Sequence, residues 1–235
     1  MKNLLPLSGF SVDFGFLEAA VVVYLRKIYY PDGFSFPLNP FIEPSILQVE
    51  LIREITTIVM LVCVGVVAGR SFIERLCYFM FCFGVWDIFY YVGLKIFLNW
   101  PESLLSWDLL FLIPVAWVGP VVAPIVCSFT MIFISVSVIF LKQKYDILVK
   151  GTLFEWLLAI VGVLIIYFTF TFDFKKIIIS GGFINKFFTL AYDEEFIKVI
   201  TNYTPKKFLW LPFIIGEVLI LASFLKAYLR TIKKS

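Results

Sequence analysis

The sequence predicts an all-α, polytopic integral membrane protein, a helical bundle with about six transmembrane helices. The 235 residues are 61% hydrophobic and only 16% charged, whereas soluble domains are nearer half apolar and a quarter charged. The apolar residues form long blocks rather than short alternating runs, which indicates that lipid is the main solvent. Because these blocks follow each other with short breaks, we predict one transmembrane domain over residues 1–235.

Composition excludes several kinds of site. The chain contains no histidine, so histidine-ligated haem, histidine zinc sites and Ser-His catalysis are excluded, and we predict no cofactor or metal. The four cysteines lie in apolar blocks without a CxxC pair, which is typical of small buried packing residues. A formal charge of +3 is too small to indicate nucleic-acid binding.

Six apolar blocks define the predicted helices. We place the spans at about 9–30, 45–69, 71–98, 108–141, 153–173 and 208–228, since about 20 apolar residues cross a bilayer.

The first block is predicted to be a helix rather than a signal peptide. Asp13 and Glu18 interrupt its apolar core and no small-x-small cleavage site follows. Glu18 lies near the middle of the span, where a charged acid must face other helices or water. Gly15 and Ala19 should let a neighbouring helix approach closely. The proline-rich residues 31–44 then predict an interfacial connector.

The second helix carries a charged group near its beginning. Glu50, Arg53 and Glu54 follow at i, i+3 and i+4 and therefore share one face. They form either a solvated helix end with a local ion pair or a group that faces protein below the headgroups. Gly65 and Gly69 form a GxxxG pair, which is typical of close helix packing.

The third helix contains Asp87 well inside the span. Tyr90 and Tyr91 follow at i+3 and i+4, so we predict that one hydroxyl donates a hydrogen bond to the Asp87 carboxylate. Trp86 should stack over Tyr90. This group is interpreted either as a structural hydrogen bond or as part of a polar cavity.

The fourth block is predicted to be a proline-broken helix. Asp108 should cap a short helix over about 108–113, and Pro114, Pro120 and Pro124 then interrupt the path. Discontinuous helices at membrane depth place backbone groups at the binding sites of many transporters. A simple kink and a short interfacial helix remain alternatives.

The last third of the chain contains two further features. The fifth helix is predicted to be lipid-facing packing, and residues 183–201 are predicted to form an amphipathic segment on the membrane surface or a docking surface for a partner. Glu217 lies near the middle of the sixth span and is the third buried acid.

The distribution of basic residues predicts that both termini are cytoplasmic. Arg70, Arg75, the lysines of residues 142–150 and the basic tail fall on the side of the termini, as the positive-inside rule requires. Arg26 and Lys27 argue against this orientation. Usage rich in Ile, Phe and Lys is typical of a low-GC microbe, so we expect a plasma or inner membrane.

The membrane acids and their neighbours form the predicted substrate- or ion-binding set: Glu18, Arg53, Glu54, Trp86, Asp87, Tyr90, Tyr91, Asp108 and Glu217. They should line an outward-facing cavity through which a small solute or ion is translocated.

Two other functions remain open. The chain could be a non-catalytic structural or anchoring subunit of a larger membrane complex, binding the lipid bilayer and either a membrane protein or a second copy through 183–201 or Gly65 and Gly69. It could also be a membrane-embedded lipid-modifying enzyme. The sequence contains no paired metal-binding aspartates, no nucleophile with a base and no phosphate-binding glycine loop, which favours a non-enzymatic role.

Overall fold

The computed structural model describes residues 4–39, 43–184 and 193–233. Its helices and strands are α1 Leu4–Tyr29, α2 Pro44–Ala68, α3 Phe72–Leu98, β1 Trp107–Phe111, β2 Trp117–Pro120, α4 Val122–Tyr145, α5 Leu153–Ser180, α6 Glu194–Ile200 and α7 Trp210–Ile232. Every helix except the short α6 is long and apolar enough to cross a membrane. The prediction of a polytopic helical membrane protein is therefore confirmed.

Capping boxes fix where α3 and α5 begin. The Ser71 and Thr152 side chains accept hydrogen bonds from the backbone N–H groups of Glu74 and Glu155, and the two glutamates bond back to the cap residues. The predicted bounds of α3 agree with the structure, but α5 continues past the predicted end at residue 173. Asp173 interrupts the apolar run without ending the helix, and its carboxylate accepts a hydrogen bond from the Tyr203 hydroxyl at 2.5 Å.

Glycines allow close crossings between neighbouring helices. A Cβ on Gly15 would lie 2.7 Å from the Trp86 carbonyl oxygen, so α1 meets α3 where the sequence predicted a close approach. A Cβ on Gly65 would lie 2.7 Å from the carbonyl oxygen of Arg75. A Cβ on Gly69 would lie 2.4 Å from the Arg75 backbone nitrogen. The GxxxG pair therefore packs against α3 of the same chain, and its proposed role in contacting a membrane protein or a second copy stays a prediction.

Residues 107–120 correct the prediction of a proline-broken helix. They form an antiparallel β-hairpin in which Trp107 pairs with Pro120 and Phe111 with Trp117. Asp108 is therefore a strand residue and not a helix cap. Proline lacks an amide hydrogen and restricts the preceding residue to extended conformations. Pro114 is accommodated in the turn, and the continuous fourth helix begins only at Val122.

The hairpin crosses the end of the bundle at which α1, α3 and α5 finish, called the hairpin end below. Leu109 and Val118 pack on one face of the hairpin with Phe174. A bulge follows Leu109 and turns Phe111 to the other face, where its ring lies 6.3 Å from that of Trp86. Non-helical backbone at membrane depth must be buried in protein or line a cavity, and this hairpin meets that requirement.

Part of the predicted amphipathic segment 183–201 packs onto the turn of the hairpin. Phe183 and Phe196 are buried against Val115 and Ile178, and α6 covers Glu194–Ile200. Residues 185–192 lie outside the described part of the chain.

Candidate functional site

A cavity of about 670 Å³ lies between α1–α4 on one side and α5–α7 on the other, around the hairpin. Its volume is within the range of pockets that bind small molecules. Every predicted site residue lines it: Glu18, Arg53, Glu54, Trp86, Asp87, Tyr90, Tyr91, Asp108 and Glu217. The structure thus brings together residues from four helices and the hairpin, most of them far apart in the sequence.

Glu18 of α1 is held by two residues of α2. It accepts a hydrogen bond from the Thr57 hydroxyl and pairs with the Arg53 guanidinium. Arg53 also pairs with Glu50, with Nε donating to Oε2 at 2.9 Å. The predicted local ion pair on α2 is therefore present, and Arg53 in addition reaches across to α1. The charged group of α2 therefore faces protein, because Arg53 pairs with Glu18 and both Glu18 and Glu54 are only 4% exposed.

Glu54 joins α2 to the turn of the hairpin. Both of its carboxylate oxygens accept a hydrogen bond from the Leu112 backbone N–H, at 2.9 and 3.1 Å. Glu54 lies ten residues after the first residue of α2, which corresponds to about 15 Å along the helix. The side chain thus satisfies a backbone donor at a depth where lipid has no acceptor to offer.

Asp108 joins the hairpin to α1 and α3. Its carboxylate accepts hydrogen bonds from Arg26 Nη2 at 2.8 Å, from the Tyr91 hydroxyl at 3.1 Å and from its neighbour's backbone N–H at 2.9 Å. Arg26 also lies over the Trp100 ring, 3.8 Å from its centroid.

Arg26 is a cavity residue that the sequence prediction missed. In the sequence, Arg26 only argued against the orientation that the other basic residues give. That conflict with the other basic residues was the sequence signal that Arg26 is not a loop residue. Arg26 is buried and paired with Asp108, so it does not contribute to the charge of a loop. The positive-inside rule applies to charges in loops and near span ends.

Asp87 has a different partner from the one predicted. Its carboxylate accepts a hydrogen bond from the Ser128 hydroxyl of α4 at 2.7 Å, while Tyr91 donates to Asp108 instead. The predicted bond between Asp87 and a tyrosine of α3 is therefore wrong, because the carboxylate turns toward the neighbouring helix. The predicted stacking of Trp86 on Tyr90 is confirmed, with centroids 6.4 Å apart and ring planes 23° apart.

Glu217 of α7 also bonds to α4. Its carboxylate accepts a hydrogen bond from the Thr130 hydroxyl at 2.7 Å. The Cys127 thiol lies close enough to Glu217 and Asp87 to interact with both carboxyl groups. In the described part of the chain, no arginine or lysine forms an ion pair with either acid. Asp87 and Glu217 thus differ from Glu18 and Asp108, which are each paired with an arginine.

Two buried donors of the cavity wall have no acceptor among the described residues. They are Nη1 of Arg26 and the indole N–H of Trp86, and the two residues are 7% and 5% exposed. A buried donor without an acceptor costs free energy, so an acceptor on a bound molecule would stabilise both.

The fifth predicted helix contributes more than lipid-facing packing. Tyr167, Phe170 and Phe174 of α5 line the cavity, and their i, i+3, i+7 spacing is the sequence signal that identifies this inner face. Among the described residues, no three Asp, Glu or Cys side chains are grouped so that they could hold a metal ion.

Comparison with known proteins gives no relative for this chain. No protein-family model, no curated protein and no solved structure matches it.

Proposed function

We propose that the protein binds a small solute in the cavity and translocates it across the membrane. The observation that carries this proposal is the convergence of charged and hydrogen-bonding side chains from α1, α2, α3, α7 and the hairpin on a space of about 670 Å³. Ionisable groups are expensive within a membrane, and they mark the pathways of ions and substrates.

The cavity combines the two properties of a solute site. Its walls are mainly leucine, isoleucine, valine and aromatic side chains, which exclude water and supply dispersion contacts. Its polar groups are few and are held in place by neighbours, as Glu54 is by Leu112 and Asp87 by Ser128. Fixed polar groups in an apolar pocket are what orient and select small ligands.

The hairpin is the element of the cavity wall that we propose as the moving barrier. It is attached by side-chain bonds at two points, through Glu54 at its turn and through Arg26 and Tyr91 at Asp108. It lies at the hairpin end, where connector residues such as Phe34 line the same cavity as Glu217. Translocation by alternating access requires barriers that open in turn on the two sides of the site, and the hairpin would form the barrier at the hairpin end. With both termini in the cytoplasm, as the basic residues predict, this side faces outward.

Ligand-dependent thermal stability tests the binding part of the proposal. Wild-type protein in lipid nanodiscs is screened against small cationic, neutral and anionic solutes, and we expect at least one solute to raise the melting temperature in a saturable way. The double variant Asp87→Asn/Glu217→Gln should lose this response. The matched control Asp13→Asn removes a charge from an exposed residue of α1 outside the cavity and should keep it.

Two results would contradict the proposal. One is that no solute of any charge class stabilises the folded wild type. The other is that the cavity variant and the control respond equally, because binding would then take place elsewhere. Recovery of a membrane protein at fixed stoichiometry, with no solute response, would favour the subunit function instead.

A further inference from the structure

We propose that the solute is an organic cation with an apolar or aromatic body and a hydrogen-bond acceptor. Its cationic group would lie against Asp87 and Glu217, and its acceptor would meet the indole N–H of Trp86. This inference rests on the proposed function and specifies the substrate class of the same cavity.

The charges of the cavity wall favour a cation. Six carboxyl groups and two guanidinium groups line it: Glu18, Glu50, Glu54, Asp87, Asp108, Glu217, Arg26 and Arg53. Both arginines are already paired with acids of the wall. An excess of one sign in a low-dielectric cleft concentrates ligands of the opposite sign and repels those of the same sign.

Asp87 and Glu217 are the acids that a ligand can bind. Each carboxylate accepts one hydroxyl hydrogen bond, from Ser128 and Thr130 respectively, although an ionised carboxylate has about four acceptor positions. The described residues provide no cation for either acid. A ligand ammonium group would supply the missing counter-charge, which is why these two acids and not Glu18 or Asp108 form the proposed site.

Aromatic rings continue from Trp86 along the wall. Ring centroids are 6.3 Å apart for Trp86 and Phe111, 5.8 Å for Phe111 and Trp117, and 5.2 Å for Trp117 and Tyr167. All four residues line the cavity. Aromatic faces beside carboxylates are the chemistry by which proteins recognise organic ammonium groups.

The unpartnered indole N–H of Trp86 favours a ligand that carries a hydrogen-bond acceptor. It is a donor only, it is buried, and it has no acceptor among the described residues. The nitrogen is closed to water in this structure, so a carbonyl or ether oxygen on the ligand would satisfy it after a small movement of the indole toward the cavity. A bare Ca²⁺ or Mg²⁺ ion is less suitable, because these ions take six or more oxygen ligands and the described residues offer no group of three acidic or thiol side chains for one.

Two probes of matched shape test the charge preference. Benzoylcholine carries a quaternary ammonium group, an aromatic ring and an ester carbonyl, and 3,3-dimethylbutyl benzoate replaces the charged nitrogen by carbon. Binding to wild-type protein in lipid nanodiscs is measured by titration calorimetry, with empty nanodiscs as the blank. We expect saturable benzoylcholine binding that is stronger than that of the neutral analogue by about tenfold or more, since the trimethylammonium group has no N–H to donate and is held by the charge of the carboxylates and by the aromatic faces.

Variants then locate the two parts of the site. Asp87→Asn/Glu217→Gln should remove the preference for the cation, whereas Asp13→Asn should keep it. Trp86→Phe should weaken benzoylcholine binding several-fold, by about the value of one neutral hydrogen bond, without removing the charge preference. If the double variant does not fold, the comparison of the two probes on the wild type still decides the inference.

The outcomes separate this inference from the proposed function. Equal or stronger binding of the neutral analogue, or no binding of benzoylcholine, overturns the cation inference. If another solute still stabilises the wild type but not the cavity variant, the proposed function stands without it. Cation-selective binding with no transport of the cation would instead leave the site assigned and contradict translocation.

Discussion

Separating Arg26 from Asp108 should destabilise the protein strongly, because both charges are buried. Asp108 is fully buried, Arg26 is 7% exposed, and Nη2 lies 2.8 Å from the carboxylate. Removing one partner of such a pair leaves an unpaired charge at a cost of about 3–5 kcal/mol. We therefore expect Arg26→Met and Asp108→Asn each to lower the free energy of unfolding by about that amount.

The double variant Arg26→Met/Asp108→Asn provides the decisive comparison. With both charges absent, the loss should be smaller than the sum of the single losses by about 2 kcal/mol or more. Unfolding is followed by helical circular dichroism during titration of detergent-solubilised protein with sodium dodecyl sulfate. Lys142→Gln is the control and should have little effect, since its pair with Asp146 is exposed. Single losses that add up to within about 0.5 kcal/mol of the double loss would refute the buried pair.

Two further predictions concern the hairpin attachment and the α5–α7 crossing. Glu54→Ala should lower the free energy of unfolding by about 1–3 kcal/mol more than Glu54→Gln, because only glutamine retains an acceptor for the Leu112 N–H. Equal unfolding free energies of the two variants in the same titration would contradict this bond. Gly162→Ala should lower the melting temperature, because the added Cβ would lie 2.7 Å from the Gly216 carbonyl oxygen. The control Gly9→Ala should leave it unchanged, since a Cβ there would meet no atom within 4 Å. Equal melting temperatures of the two variants would show that α5 and α7 do not cross at Gly162.

The helices were predictable because apolar length and cap residues are local signals. The hairpin was not predictable. A five-residue, mainly apolar segment such as residues 107–111 is too short for its periodicity to distinguish a strand from a helix. Its strand form depends on partners elsewhere in the chain. Glu54 satisfies the Leu112 N–H, and Phe174 covers one face; neither contact is visible from the run itself.

The acids of the cavity were predictable from depth, but their partners were not. A charged residue in the middle of an apolar span must face protein or water, and this reasoning alone identified Glu18, Asp87 and Glu217. Spacing rules predict contacts only along one helix. The hydroxyls that bond Asp87 and Glu217 come from Ser128 and Thr130 of α4, so helix packing decides them.

Uptake into proteoliposomes is the measurement that tests the central claim most directly. A radiolabelled solute that stabilises the wild type is added outside vesicles that contain wild-type protein, Asp87→Asn/Glu217→Gln or Asp13→Asn, with protein-free vesicles as the blank. We expect saturable, time-dependent uptake by the wild type and by Asp13→Asn, and uptake near the blank for the double variant. Equal uptake by all three proteins, or none by the wild type, would contradict the conclusion that this cavity is the site of translocation.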